Sequence, residues 1–228
     1  MCLIPARGGS KRIPKKNIRG FCGQPVIARS IALALRSGLF EKVVVSTDDS
    51  EIAAVAREAG AEVPFERPAS LSDDHTGTIA VVRHAIDKVS EHGFHPDIVC
   101  CLYPAAPFVT ERLLDEALQL LRRDDNVDFV FPVARYSPPV QRGFTVTEAG
   151  ELRMLSPERF ATRSQDLEEV FHDTGQFYFA RRTTWLNSEV IFSANSRGIK
   201  IGPYDAIDID DIEDWIFAEQ VFAIRNND

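Results

Sequence analysis

Four short apolar runs, at residues 2–6, 42–46, 98–102 and 129–133, alternate with four longer segments whose apolar residues recur at helical spacing, at 26–37, 50–59, 78–91 and 111–123. Apolar runs of strand length bounded by turn residues read as buried strands, and an amphipathic helix between two of them fits the crossover that joins parallel neighbours. Gly38, Gly60 and Gly93 follow three of the helical segments where a left-handed C-cap is expected. This rhythm predicts an α/β fold: a mostly parallel, twisted sheet with helices on both faces.

After residue 133 the rhythm breaks. Residues 135–170 contain Pro138, Pro139 and Pro157, a hairpin signal at Glu148-Ala149-Gly150, and no clean helical period. Strand signals return at 175–180 and 198–201, and a closing helix is expected from about residue 211 to 224. The organisation read from this is an α/β core over 1–134, an arm over 135–170, and a return to the core over 171–228.

Charge is unevenly placed. The chain carries 26 basic and 34 acidic side chains, a net charge of −8, which argues against general nucleic-acid binding. Yet residues 1–40 hold eight basic side chains and no acidic one. A basic segment on an acidic body points to a compact site for a small polyanion. No run approaches the roughly 18 consecutive apolar residues of a membrane span, and the first residues lack the basic-then-apolar order of a signal peptide, so a cytoplasmic protein without membrane association is expected. The four cysteines, Cys2, Cys22, Cys100 and Cys101, lack CxxC spacing. The adjacent pair sits in an apolar run and reads as strand packing, with neither a disulfide nor a zinc site.

The first strand runs into Pro5-Ala6-Arg7-Gly8-Gly9-Ser10-Lys11-Arg12-Ile13-Pro14-Lys15-Lys16-Asn17. Glycines let backbone N–H groups approach an oxyanion, and five interleaved cations within ten positions neutralise it. The loop is neither a Walker A motif nor a GxGxxG dinucleotide loop, both of which open a helix at once; Pro14 forbids that. A solvated basic loop is the bland alternative, and the density of cations favours triphosphate binding over it.

Near the other end, Ala206-Ile207-Asp208-Ile209-Asp210-Asp211 alternates apolar and acidic residues. In a strand, Asp208 and Asp210 would share one face roughly 7 Å apart, suited to a hydrated Mg2+. Asp211 and Asp214 read equally well as a helix cap with an acidic first turn. Tyr103-Pro104-Ala105-Ala106-Pro107 leaves a strand at its carboxyl end, where open α/β sheets bind ligands. Thr78 follows a turn-prone segment and can serve simply as a cap. The neighbours His172 and Asp173 point apart if extended, which speaks against a hydrolytic dyad.

Taken together, Ile4-Pro5-Ala6-Arg7-Gly8-Gly9-Ser10-Lys11, Val45-Ser46-Thr47-Asp48, Arg67-Pro68-Ala69 and Ile207-Asp208-Ile209-Asp210 resemble the CMP-sialic acid synthetase (acylneuraminate cytidylyltransferase) family over nearly the whole chain. Asp73-Asp74-His75-Thr76-Gly77-Thr78 and the segments 162–169 and 172–178 look like its pseudaminic acid cytidylyltransferase branch. The sialic-acid enzymes typically have Gln where this chain has Tyr103, and Asn where it has Thr174.

The resemblance implies a Rossmann-like nucleotidyltransferase fold with a dimerising arm, hence a homodimer, and Mg2+-dependent transfer of CMP from CTP to a nonulosonic acid, with release of pyrophosphate. It implies Arg7, Lys11 and Lys16 at the triphosphate, and a nucleotide site drawn from Ala6, Gly8, Gly9, Ser10, Asn17, Arg67, Gly77 and Thr78. Gly8, Gly9 and Ser10 would offer backbone N–H groups. Asp208 and Asp210 would hold the metal. Arg163 is the candidate for the sugar carboxylate, which a guanidinium matches bidentately; Tyr103, Gln165, Thr174 and Gln176 are candidates for the rest of the sugar. Two other readings stand beside it: a CMP-N-acetylneuraminate or CMP-legionaminate synthetase with the same chemistry, and a nucleotide-binding regulatory module without turnover.

Overall fold

The computed structural model describes residues 1–225. Its strands are β1 (Cys2–Pro5), β2 (Gly20–Phe21), β3 (Gln24–Pro25), β4 (Val43–Ser46), β5 (Ile98–Leu102), β6 (Phe129–Arg135), β7 (Phe144–Val146), β8 (Leu152–Met154), β9 (Phe171–Asp173), β10 (Phe177–Arg181) and β11 (Arg197–Ile201). The helices are α1 (Val26–Arg36), α2 (Ser50–Glu58), α3 (Thr78–Glu91), α4 (Glu111–Arg123), α5 (Arg182–Asn187) and α6 (Ile212–Arg225). Gly38, Gly60 and Gly93 have φ of 64°, 95° and 79°, the left-handed values that a helix-ending glycine supplies without a Cβ penalty.

One sheet organises the chain in the order β11-β6-β10-β5-β1-β4, with β9 also on β6. β4, β1 and β5 are mutually parallel, as are β6 and β11, and β10 runs antiparallel between the two groups. Strand alternation builds two cores from one sheet. Cys2, Ile4, Val43, Val45, Cys100 and Leu102 face the helices α1, α2 and α4. Leu3, Val44, Val99 and Cys101 face α3 and the buried Trp185 of α5. Cys100 and Cys101 therefore point to opposite faces as free thiols, which is strand packing. Among the described residues no helix is long and apolar enough to cross a membrane.

From β1 the chain steps through α1 to β4 on one side, then through α3 to β5 on the other. The carboxyl ends of β1 and β5 are therefore the point where strand order reverses, the crevice in which open α/β sheets receive ligands.

Two features depart from the sequence reading. The strand expected at 175–180 is preceded by β9, and the two form one interrupted strand against β6. Between the pairs Asp173–Val133 and Phe179–Val130, the β9–β10 side advances six residues while β6 advances three. The excess of three residues is Thr174-Gly175-Gln176, an extended bulge with Gly175 at φ 62°. Residues 206–210 lie outside the sheet, so Asp208 and Asp210 are not on a strand. Their alternation persists because Ile209 is fully buried with Ile13, Phe21 and Trp215 beneath the segment.

Between β6 and β9 the chain carries the β7–β8 hairpin, turned at Gly150, and short 3-10 turns at Val140–Arg142, Pro157–Arg159 and Ser164–Asp166. Phe144, Val146, Leu152, Leu155 and Phe160 are exposed there, Phe160 by 75%.

Candidate active site

A cleft of about 320 Å³ opens at the reversal point, lined by Arg7, Lys11, Lys16, Tyr103, Asp208 and Asp210 among others. The basic loop forms one wall. Ala6 is fully buried and ties the loop to the sheet, its N–H donating to the Ser46 carbonyl at 2.9 Å. Asn17 is buried and its Nδ2 donates to the Arg7 carbonyl at 2.9 Å, which fixes the loop's start against its end. The helix that Pro14 forbids is deferred until Val26, after the β2–β3 hairpin.

Gly8 is required for a steric reason: a Cβ there would lie 2.7 Å from Asp49 Oδ2 and 3.0 Å from Asp49 Cβ. Its N–H does not face the cleft as expected; it donates to Asp48 Oδ1 at 3.0 Å. The Ser10 N–H is also engaged, by the Gly8 carbonyl at 2.9 Å. These internal bonds shape the loop, and its cationic side chains Arg7, Lys11, Arg12 and Lys16 line the cleft. Asp48 also stands 3.7 Å from Arg67 Nη2. Arg67 is only 4% exposed, and its Nε and Nη2 have no hydrogen-bond partner. Burial holds the Arg67 guanidinium below its ordinary value, and Asp48 opposes that shift.

The opposite wall is acidic. Arg12 Nη2 reaches Asp210 Oδ1 at 2.8 Å, and Lys16 Nζ donates to the Ile209 carbonyl. Burial lowers the Lys16 pKa, with Asp208 and Asp210 pulling it back up. Although Asp208 reaches solvent, the protein crowded around its carboxyl, and then the neighbouring Asp210 charge, push its pKa above the ordinary value. A divalent cation would relieve both effects, and two carboxylates with room for water and phosphate oxygens suit Mg2+. The cap reading holds for the residues it concerned. Asp211 Oδ1 accepts from the N–H groups of Glu213 and Asp214 at 2.9 Å, and Asp214 Oδ2 accepts from those of Asp210 and Asp211. Asp208 and Asp210 are left facing the cleft.

The family model for cytidylyltransferases matches residues 1–204. The chain belongs to that family. The pseudaminic acid cytidylyltransferase of Campylobacter jejuni subsp. jejuni serotype O:2 is 40% identical over 226 residues, 99% of this chain and 97% of that protein. The CMP-N,N'-diacetyllegionaminic acid synthase of Legionella pneumophila subsp. pneumophila is 31% identical over 233 residues, 99% of this chain and 97% of its own length. In fold, the chain is similar to the structure of CMP:2-keto-3-deoxy-manno-octonic acid synthetase complexed with CTP, at TM-score 0.71 and 19% identity over 98% of both chains. This cytidylyltransferase is therefore an enzyme of the class that the family resemblance implied.

The expected sugar residues are not all brought to the cleft. Tyr103 lines it, its hydroxyl 2.5 Å from Thr78 Oγ1, and burial raises the phenol pKa strongly. Gly77 precedes Thr78 at the start of α3 and does not line the cleft, although Thr78 does. Thr174 is buried and donates to the Pro132 carbonyl at 3.2 Å; Gln176 is buried and its Nε2 donates to the Asp205 carbonyl at 2.5 Å. It is Gly175, at the crest of the bulge, that reaches the cleft. Arg163 and Gln165 lie in the 135–170 segment, away from the cleft lining, with Arg163 Nε 2.8 Å from Asp166 Oδ2. His172 Nδ1 meets the Asp173 carbonyl, while the Asp173 carboxylate accepts from the Tyr178 hydroxyl, so imidazole and carboxylate do not meet. Among the cleft residues without an assigned role in the sequence reading are two charged ones that pair across it: Arg12, on Asp210, and Asp74, which pairs with both Arg7 and Lys11. Asp74 sits in a turn-prone polar segment, where an acidic residue carries no signal of the cations it will face.

Proposed function

We propose that the chain forms CMP-pseudaminic acid and pyrophosphate from CTP and pseudaminic acid. One observation carries the nucleotidyl-transfer chemistry: the loop cations and the carboxylates Asp208 and Asp210 line one cleft at the reversal point of the sheet. The choice of sugar is supported by the 40% identity to the Campylobacter enzyme across almost the entire chain.

In this reading the anomeric hydroxyl of the sugar attacks the α-phosphate in line; a new P–O bond forms as the bond to the β-phosphate oxygen breaks, and pyrophosphate departs. Arg7, Lys11 and Lys16 neutralise charge that accumulates on the phosphoryl oxygens. Asn17 and Arg67 take the nucleoside side, with Thr78 at the cleft floor. Asp208 and Asp210 hold Mg2+, which when bound withdraws charge from phosphate oxygens and lowers the pKa of a ligated hydroxyl. Tyr103 borders the sugar; Arg163 and Gln165, which lie off this cleft, take part only if the arm moves or a second copy supplies them. The arm's exposed apolar residues pair with a second copy, giving a homodimer.

Pyrophosphate release from CTP and Mg2+ with a panel of sugars tests this. Pseudaminic acid should turn over far faster than N,N'-diacetyllegionaminic or N-acetylneuraminic acid. Equal or reversed rates would reject pseudaminic acid, and CTP binding without release for any sugar would favour the regulatory module.

A further inference from the structure

Every cation of the basic loop that faces the cleft already has a partner. Arg12 lies on Asp210 and Lys16 on the Ile209 carbonyl, both on the metal-side wall. Arg7 and Lys11 instead converge on a single carboxylate from the opposite side: Arg7 Nη1 is 2.7 Å from Asp74 Oδ1, and Lys11 Nζ pairs with Asp74 Oδ2. One carboxylate thus bridges two cations through its two oxygens, the arrangement in which one phosphate group would bridge them.

The turn that presents Asp74 is built by its neighbour. Asp73 Oδ1 accepts from the N–H groups of His75 and Thr76 and from the Thr76 hydroxyl, at 2.9, 2.7 and 2.7 Å. Asp74 makes none of those bonds. Its carboxylate is free of structural duty in the turn, and the ion pairs themselves are solvent-accessible, Arg7 and Asp74 by about a third and Lys11 by 79%. Exposed pairs of this kind contribute little to folding and exchange readily.

We infer that Asp74 is the resident counter-ion of the triphosphate subsite, and that CTP binds by exchanging its phosphate oxygens for the Asp74 carboxylate on Arg7 and Lys11. This rests on the reading that those two cations take the triphosphate. The device has two consequences. Without nucleotide, the carboxylate keeps the two cations together and pointed into the cleft, in place of scattering toward solvent. With nucleotide, each phosphate contact is made against a competitor, so affinity for polyphosphate is held below what the bare cations would give, and pyrophosphate leaves more easily.

Equilibrium binding to wild type, Asp74→Asn, Asp73→Asn and Arg7→Ala, with Mg·CTP and with metal-free tripolyphosphate as probes and no sugar present, tests the inference; melting temperature is followed alongside. Asp74→Asn should keep the wild-type melting temperature and tighten both probes by about threefold to tenfold. Asp73→Asn should lower the melting temperature without that gain. If Arg7→Ala weakens both probes but Asp74→Asn leaves them unchanged, the counter-ion role is overturned and the phosphate reading stands. If Asp74→Asn weakens Mg·CTP but not tripolyphosphate, Asp74 serves the metal, and the inference is likewise overturned. If Arg7→Ala binds both probes as wild type does, the phosphate reading itself fails, and the inference falls with it.

Discussion

Replacing Asp208 by Asn keeps the side chain's size and removes one charge, so it separates a metal-holding carboxylate from a structural one. Asp208 makes no cap: the α6 N-terminus is closed by Asp211 and Asp214. Its carboxyl is pushed up by crowding and by Asp210. A carboxyl whose folded pKa is raised costs stability above that raised value, and the cost disappears as pH falls below the ordinary value of 3.8, where both folded and unfolded forms are protonated. The Asn variant carries no such cost. Without metal at pH 7 it should therefore melt at or slightly above wild type, and the difference should close in acid.

Turnover should move the other way. Losing one preorganised electrostatic stabiliser of the transferring phosphoryl group costs roughly 3 kcal/mol, or roughly 100-fold in kcat. Asp210→Asn should behave alike, with Arg12 released as well. The contrasting variant is Asp211→Ala, which removes an acceptor of two backbone N–H groups: about 1 kcal/mol of stability, about 2–4 °C in melting temperature for a chain of this size, and little change in rate. The assays are calorimetric melting in EDTA from pH 3.5 to 7.5 and pyrophosphate release across a Mg2+ titration. Near-normal turnover of both Asn variants at low Mg2+ would remove the metal role from these carboxylates. A melting loss in Asp208→Asn equal to that of Asp211→Ala would show the charge to be structural.

Gly8→Ala should be costly twice over, because rotating the Asp49 carboxylate does not clear a Cβ that is also 3.0 Å from Asp49 Cβ. Asp49 caps α2 through the N–H groups of Glu51 and Ile52, so disturbing it costs about 1 kcal/mol, and melting should fall by about 2–4 °C with weaker CTP binding, both measurable on one preparation. For the arm, light scattering at micromolar concentration should give twice the chain mass, and Phe160→Asp with Val146→Asp should shift it toward the monomer; a monodisperse wild-type monomer would refute the arm's pairing role.

Strands β1, β4 and β5 and the helices that cross between them were legible because these strands are buried on both faces and each crossover helix on one, which writes an unambiguous pattern into the sequence. The basic wall of the cleft was legible for a different reason: five cations in ten positions have no use in a core. What escaped were features set by partners far away in sequence. The Gly8 N–H was taken for a phosphate donor because nothing local reveals that Asp48, forty residues on, already accepts it. The bulge at 174–176 arises from a register mismatch between β10 and β9 along one neighbour, which neither strand's own residues declare. Its effect on the site is nonetheless specific. By absorbing three residues it turns the Thr174 and Gln176 side chains away into backbone hydrogen bonds and leaves Gly175 as the cleft wall, where a Cβ would come within 3.8 Å of Asp208 Oδ2. That Cβ would make only ordinary contact with Asp208, so the need for glycine in this wall comes from the bulge's own backbone, whose φ of 62° at Gly175 disfavours any side chain.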